Sequence, residues 1–245
     1  MAAWRIGRGW TEAELKAQLA HARTLPRNFP EAPEALPETP GWFHYSSEAV
    51  VGREAPGPPL AGGPFARGRI VVASYAFSDP RIVTGHFDPD APLLGRPMLL
   101  ERKALRLLHY LGGVVVGATR EDEAGEDEAG EEETAYGFRY DTLQGHIECG
   151  SEWFLLTKAH RTGDLRFRIE AYWKPGQFPN WWSRLGFTYL GPRYQRQWHH
   201  RAHALMARLV RDPAVEAPDA PAGALVHADP AVVFKRFKPH DLPSP

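Results

Sequence analysis

Between residues 165 and 174 the chain alternates without a break, with Leu165, Phe167, Ile169, Ala171 and Trp173 on one parity and Arg166, Arg168, Glu170, Tyr172 and Lys174 on the other. Side chains of a strand point to opposite faces in turn, so this run is a strand with one apolar and one polar side. Such a strand is stable only within a sheet whose apolar face is covered. Residues Glu152 to Lys158 supply a partner strand, and Arg161-Thr162-Gly163-Asp164 supplies the hairpin turn. Pro175-Gly176 ends the second strand.

The cover follows in the sequence. Tyr194, Trp198, Ala202, Leu205, Met206 and Leu209 fall on one face of a helix that Arg196, His200 and Arg208 avoid. The spacing predicts a helix from about Pro192 to Arg211, ended by Asp212-Pro213. Upstream, Arg69 to Phe77 and Val114-Val115-Val116 read as strands, while Met98 to Tyr110 fits a helical stripe and one face of a strand equally. Strands, a hairpin and one long C-terminal helix define an α+β class, a curved antiparallel sheet gripping that helix.

The remaining segments have simpler expectations. Thr11-Glu12-Ala13-Glu14 is a capping box, so a short helix is predicted over residues 11–23. Pro26, Pro30, Pro33, Pro37 and Pro40 then argue for an extended wrap, making residues 1–68 an N-terminal extension to a main domain at 69–211. Glu121 to Glu133 is almost wholly Glu, Asp, Gly and Ala, which predicts a disordered acidic loop across 121–133. Residues 212–245 read as a tail.

Composition narrows the function classes. The formal charge of −1 gives no overall attraction to nucleic acid or anionic membrane. The arginines of the last helix lie around a solvated arc, so no nucleic-acid partner is expected. Cys149 is the single cysteine, which excludes an intrachain disulfide and a thiol framework for zinc. No stretch approaches the roughly 20 apolar residues of a membrane span, and the first residues lack a signal-like apolar core, so a cytoplasmic protein is expected. No nucleotide loop is present, and no cofactor is expected.

The run Thr142-Leu143-x-Gly145-His146-x-Glu148-x-Gly150-x-Glu152-x-Phe154, followed by the Phe167/Ile169 strand, a proline bend and a helix start at Gly191-Pro192…Gln195, resembles the uncharacterised family called domain of unknown function nineteen-ninety. The resemblance covers Tyr136 to Leu209, extends back towards Pro92 and finds no correspondence before Arg69. Gln144 and Cys149 stand where such sequences often carry a proline and a small polar residue. The resemblance implies a helix-grip fold related to the START and Bet v 1-like ligand-binding domains, and it implies no particular activity.

Within that run, His146, Glu148 and Glu152 project to one face if the segment is extended. Three titratable groups together can perturb one another and perform acid–base work. The structural alternative pairs both carboxylates with Arg166 or Arg168 across the hairpin. A sheet–helix cavity would take its polar anchors from His146, Glu148, Glu152 and Arg168 and its apolar walls from Phe154, Phe167, Ile169, Trp173 and Trp198. The aromatic group Trp173, Phe178, Trp181, Trp182, Phe187 and Tyr189 either lines a pocket or plugs the open end of the sheet. His199 and His203 have metal-ligand spacing but are expected at and beyond the edge of the helix's apolar face, so no metal site is expected. The readings are a module binding a small apolar or amphipathic molecule, an enzyme using His146 and Glu148, and a partner-binding protein with a closed core.

Overall fold

A computed structural model of the chain describes residues 2–104, 108–126, 130–176, 181–212 and 230–237. The described strands are β1 (Ala2–Ile6), β2 (Phe43–Arg53), β3 (Val83–His86), β4 (Pro97–Ala104), β5 (Leu108–Glu126), β6 (Glu132–Thr142), β7 (Glu148–Ala159), β8 (Asp164–Pro175) and β9 (Val233–Phe237). The helices are α1 (Glu12–Ala22), α2 (Pro64–Ala73) and α3 (Trp181–Leu209), with a 3₁₀ turn at Pro33–Glu38. β3 to β8 form a consecutive meander, and β2 closes the order beside β8, giving β3-β4-β5-β6-β7-β8-β2-β9 in one antiparallel sheet. β1 pairs with Leu108 to Gly112 of β5, just short of Val114, where pairing with β6 begins.

The alternating strand behaves as its pattern requires. Leu165, Phe167 and Ile169 are fully buried, and they pair with Lys158, Leu156 and Phe154 of β7. These inner residues meet α2 and α3 in a single core. The Phe154 ring is its hub, with the rings of Tyr75, Phe77, Phe138, Tyr140 and Trp198 at centroid distances of 4.9 to 6.3 Å. Trp198, Ala202 and Met206 present α3 to this core, Val210 follows just past its end, and Trp198 Nε1 donates to Ser78 Oγ at 2.9 Å. On the convex face α1 lays Leu15, Leu19 and Ala22 on Leu99, Leu111 and Leu143, while Phe29, Leu36 and Trp42 pack towards Cys149 and Tyr172.

Several expectations are corrected. Residues 1–68 are not an extension, because they contribute β1, β2 and the start of α2, and β2 pairs with β8 from Phe43↔Trp173 to Arg53↔Asp164. The strand was hidden because Ser47 interrupts the apolar parity on its inner face. The 69–77 run is the second half of α2 and the turn after it. Its buried positions, Phe65, Gly68, Val71 and Val72, have helical spacing, and a short apolar run does not separate helix from strand.

Met98 to Ala104 resolves as β4, with residues 105–107 outside the described ones. The acidic segment is largely a hairpin. Its residues pair as Glu123↔Ala135, Gly125↔Glu133 and Glu126↔Glu132, because a backbone ladder does not depend on side-chain charge; residues 127–129 lie outside the description. α3 starts at Trp181 rather than near Pro192, which forfeits one backbone bond within it. Within the expected tail, Val233–Phe237 adds to the sheet as β9 against β2, and the rest of that segment beyond Asp212 is outside the description up to residue 229.

An ion pair with no accessible side-chain surface ties α2 to the sheet. Lys158 Nζ donates to Glu54 Oε2 and to the Pro58 carbonyl, both at 2.8 Å. Glu54 also accepts the backbone N–H of Phe65 at 2.6 Å, in the first turn of α2. Burial pushes the Glu54 carboxyl up, but Lys158 and the backbone donors outweigh it and hold the group below the usual range. Lys158→Met strands that carboxylate, so urea unfolding should show a loss of about 3–5 kcal/mol. Adding Glu54→Gln should recover part of it, and a single-variant loss below about 1 kcal/mol would contradict the role of the pair.

Candidate functional site

The concave face changes character along β7. Beyond Phe154, towards the start of the strand, the inward positions are Glu152, Gly150 and Glu148. Tyr140, directly across on β6, donates its hydroxyl proton to Glu152 Oε2. Arg102, which follows Met98 and Leu100 on the inner parity of β4, donates from Nη2 to Glu148 Oε2 at 2.5 Å. Tyr110 of β5 accepts the Ile147 N–H at 3.0 Å. The His146 ring stacks edge-on to Tyr110 and lies over Gly112, where any Cβ would overlap it. Gly150 is likewise obligatory, since a Cβ there would run into the Tyr172 carbonyl.

The N-terminal segment holds this end of the sheet in place. Arg27 bridges to Leu143, and Gln144 donates its N–H to the Pro26 carbonyl at 2.8 Å. Asn28 accepts from Thr142 Oγ1 at 2.6 Å and donates to the Glu148 carbonyl at 2.8 Å. Gly145, at φ +84°, makes the turn into His146 in the left-handed region that favours glycine. Tyr75 is the one non-glycine residue with positive φ among the described residues, at +57°, and its ring lies buried beside Phe77 and Phe154. A non-glycine residue held there stores backbone strain of the kind that collects at ligand clamps.

Burial sorts the charges. Burial pushes the Glu152 carboxyl up to about 7, against the Tyr140 hydroxyl and Arg102, which favour its charged form. Burial also disfavours the Glu148 charge, yet Arg102 outweighs that and holds it below the carboxylate range. Burial and the Arg102 charge push His146 down to about 4, so its ring is neutral near pH 7. Its Nδ1 lies 3.0 Å from the Glu148 carbonyl and 3.1 Å from the Glu148 N–H, and its Nε2 meets no hydrogen-bond partner among the described residues. Burial raises Tyr75, Tyr110 and Tyr140, which keeps their hydroxyls protonated.

The sequence-derived candidates therefore divide. His146, Glu148 and Glu152 share the inner face, with Trp173 opposite Gly150 and stacked on Phe43 at 4.9 Å. Trp198 belongs to the packed core. Arg168 sits on the outer parity of β8, 3.9 Å from Glu170, and is not among these groups. Glu148 takes Arg102 as its partner rather than Arg166 or Arg168. Arg102, Tyr110, Tyr140 and Tyr75 were missed because they come from other strands and one turn, and only register brings them together. Phe178 and the side chains of Trp181, Trp182, Phe187 and Tyr189 lie outside the described residues. A separate cleft of about 310 Å³ opens on the convex side, lined in part by Leu25, Arg96, Val115 and Leu143, and involves none of the candidates.

His199 and His203 are not at an edge but fully buried, because β2 lies against this face of α3. Ser47 Oγ bridges them, 2.6 Å from His199 Nδ1 and 2.9 Å from His203 Nε2. Among the described residues no group of His, Cys, Asp and Glu side chains is arranged to hold a metal ion. No described helix is long and apolar enough to cross a membrane.

The meander closed by β2, with α3 against the concave face, defines a helix-grip α+β protein. Residues 16–205 match the model of the family described as a domain of unknown function (DUF1990), and the chain belongs to that family. The match starts within α1, so the family unit includes the N-terminal segment in which the sequence showed no correspondence. No curated protein matches the chain. Similar solved structures include the crystal structure of Ara h 8.0201, 12% identical over 70% of this chain and 99% of that one, with a TM-score of 0.40. Human STARD10 is 7% identical over 83% and 82% of the two chains, with a TM-score of 0.34.

The buried imidazoles set a direction for acid stability. Burial pushes His203 down to about 3 and His199 well below the usual range. An unfolded chain protonates both below about pH 6.5 while the native state does not, so these two groups withdraw stability as pH falls from there. His203→Gln should unfold in urea with a shallower dependence on pH between 6.5 and 5 than the parent protein. Identical slopes would contradict a neutral, buried His203.

Proposed function

We propose that this protein binds a small amphipathic molecule at the polar end of the concave face, between the sheet and α3. The observation that carries the reading is the company of Arg102, Glu148 and Glu152. All three are surrounded by protein, yet each keeps some accessible surface on the inner side of the sheet. Unlike the fully buried Lys158–Glu54 pair, these groups keep accessible surface, which suits a site with an apolar wall and a few polar anchors. The apolar wall is the Phe154 cluster and Trp173; Glu148, Glu152 and His146 are the anchors, with Arg102, Tyr110 and Tyr140 added.

A second reading has one specific observation in its favour. A carboxyl near 7, hydrogen-bonded to a tyrosine, is matched to proton transfer at neutral pH. In that case Glu152, rather than His146 or Glu148, is the acid–base group, since Glu148 is committed to Arg102 and His146 is held neutral. An enzyme would use the same cavity, so occupancy is tested first.

The neutral fluorophore N-phenyl-1-naphthylamine should bind saturably, one per chain, with blue-shifted emission. Ala171→Phe, placed across from Glu152 on the inner face, should abolish that signal while leaving the thermal melt cooperative. Absence of saturable binding, or binding indifferent to Ala171→Phe, would overturn the reading.

A further inference from the structure

Among the described residues the charges at the polar end of the inner face do not balance. Among those residues one guanidinium, Arg102, faces two carboxylates, and it is spent on Glu148 at 2.5 Å. Glu152 has a hydroxyl partner in Tyr140, which satisfies one lone pair and brings no positive charge. The nearby His146 is neutral, and its unpartnered Nε2 is almost wholly buried. Its Nδ1 meets both the carbonyl and the N–H of Glu148, at 3.0 and 3.1 Å, a contact that suits either tautomer of the neutral ring.

The surroundings also select what can restore the balance. Aromatic rings crowd this end, Tyr110 beside His146, Tyr140 beside Phe154 and Tyr75 beside Phe77 and Phe154, and such rings attract cations. Gly150 keeps the stretch between Glu148 and Glu152 free of side chain, and those two positions are four residues apart in an extended strand, about 13 Å along the backbone. Carboxylates so spaced do not converge on a small inorganic ion, whereas an organic cation with an apolar body spans part of the gap.

Resting on the binding reading above, we propose that the ligand carries an organic ammonium group, seated on Glu152 among the tyrosine rings, with its apolar portion against Trp173 and the Phe154 cluster. The ammonium supplies a charge that the described residues do not bring to Glu152, and its arrival ionises that carboxyl. Binding then expels a proton, about half a proton per ligand at pH 7 for a carboxyl titrating near that value.

Three eight-carbon probes that differ in head group test this below their micelle concentrations: octyltrimethylammonium, octanoate and octan-1-ol, each titrated calorimetrically at pH 7. The cation should bind at least about tenfold more tightly than the other two. Its heat in buffers of different ionisation enthalpy should report proton release. Glu152→Gln should erase the preference and the proton release, and Arg168→Gln, on the opposite face, should leave both intact. Octanoate or octanol binding as tightly as the cation would overturn the ammonium assignment while leaving the cavity occupied. If none of the three binds and the neutral fluorophore fails as well, both readings fall.

Discussion

The inner face of β7 carries, in order, Glu148, Gly150, Glu152, Phe154, Leu156 and Lys158, and the rest of the molecule is arranged around that sequence of side chains. Glu148 and Glu152 make the polar end, Phe154 is the hub of the aromatic core, and Lys158 reaches the ion pair that anchors α2. Because strand parity is strict, a slip of one residue would turn all six outward together and bring Trp153 and Leu155 in. The register with β6 and β8 is therefore the controlling constraint. It is held on both edges, Tyr140↔Glu152 on one side and Glu152↔Ala171 on the other.

That constraint divides the space under α3 into two parts. Around Phe154 the aromatic rings close the interior, as the density of a protein core demands. A few residues along the same strand the inner positions pass to Arg102, the tyrosines and the two carboxylates. The helix covers only one face, so the convex side needs its own cover, and α1 with the Phe29, Leu36 and Trp42 wrap provides it. That wrap reaches through Asn28 to the backbone of Glu148, linking the N-terminal segment to the geometry of the polar end.

How far the sequence alone reached follows from where each signal is stored. The alternation of 165–174 and the parity of His146, Glu148 and Glu152 are local, so the sheet, the gripping helix and the shared face of those three residues were legible. β2 was not, because its inner parity carries Ser47 for two buried histidines and so lacks an apolar stripe. α2 was misjudged because β-branched residues suit a strand by propensity while their burial follows helical spacing. Arg102 and Tyr140 stand 50 and 12 positions before Glu152, and nothing local marks them as its neighbours. Arg168 looked suitable by charge, yet parity alone assigns it to the outer face.

The most direct test is the titration of the Glu152 carboxyl itself, followed by its side-chain ¹³C chemical shift in the ligand-free protein and assigned by loss of the signal in Glu152→Gln. An inflection near pH 7 is expected, with Glu148 remaining ionised to below the ordinary glutamate range. An inflection of Glu152 at or below the model-peptide value of about 4.3 would mean that its charge is already matched, and would contradict an unbalanced, ligand-seeking carboxylate.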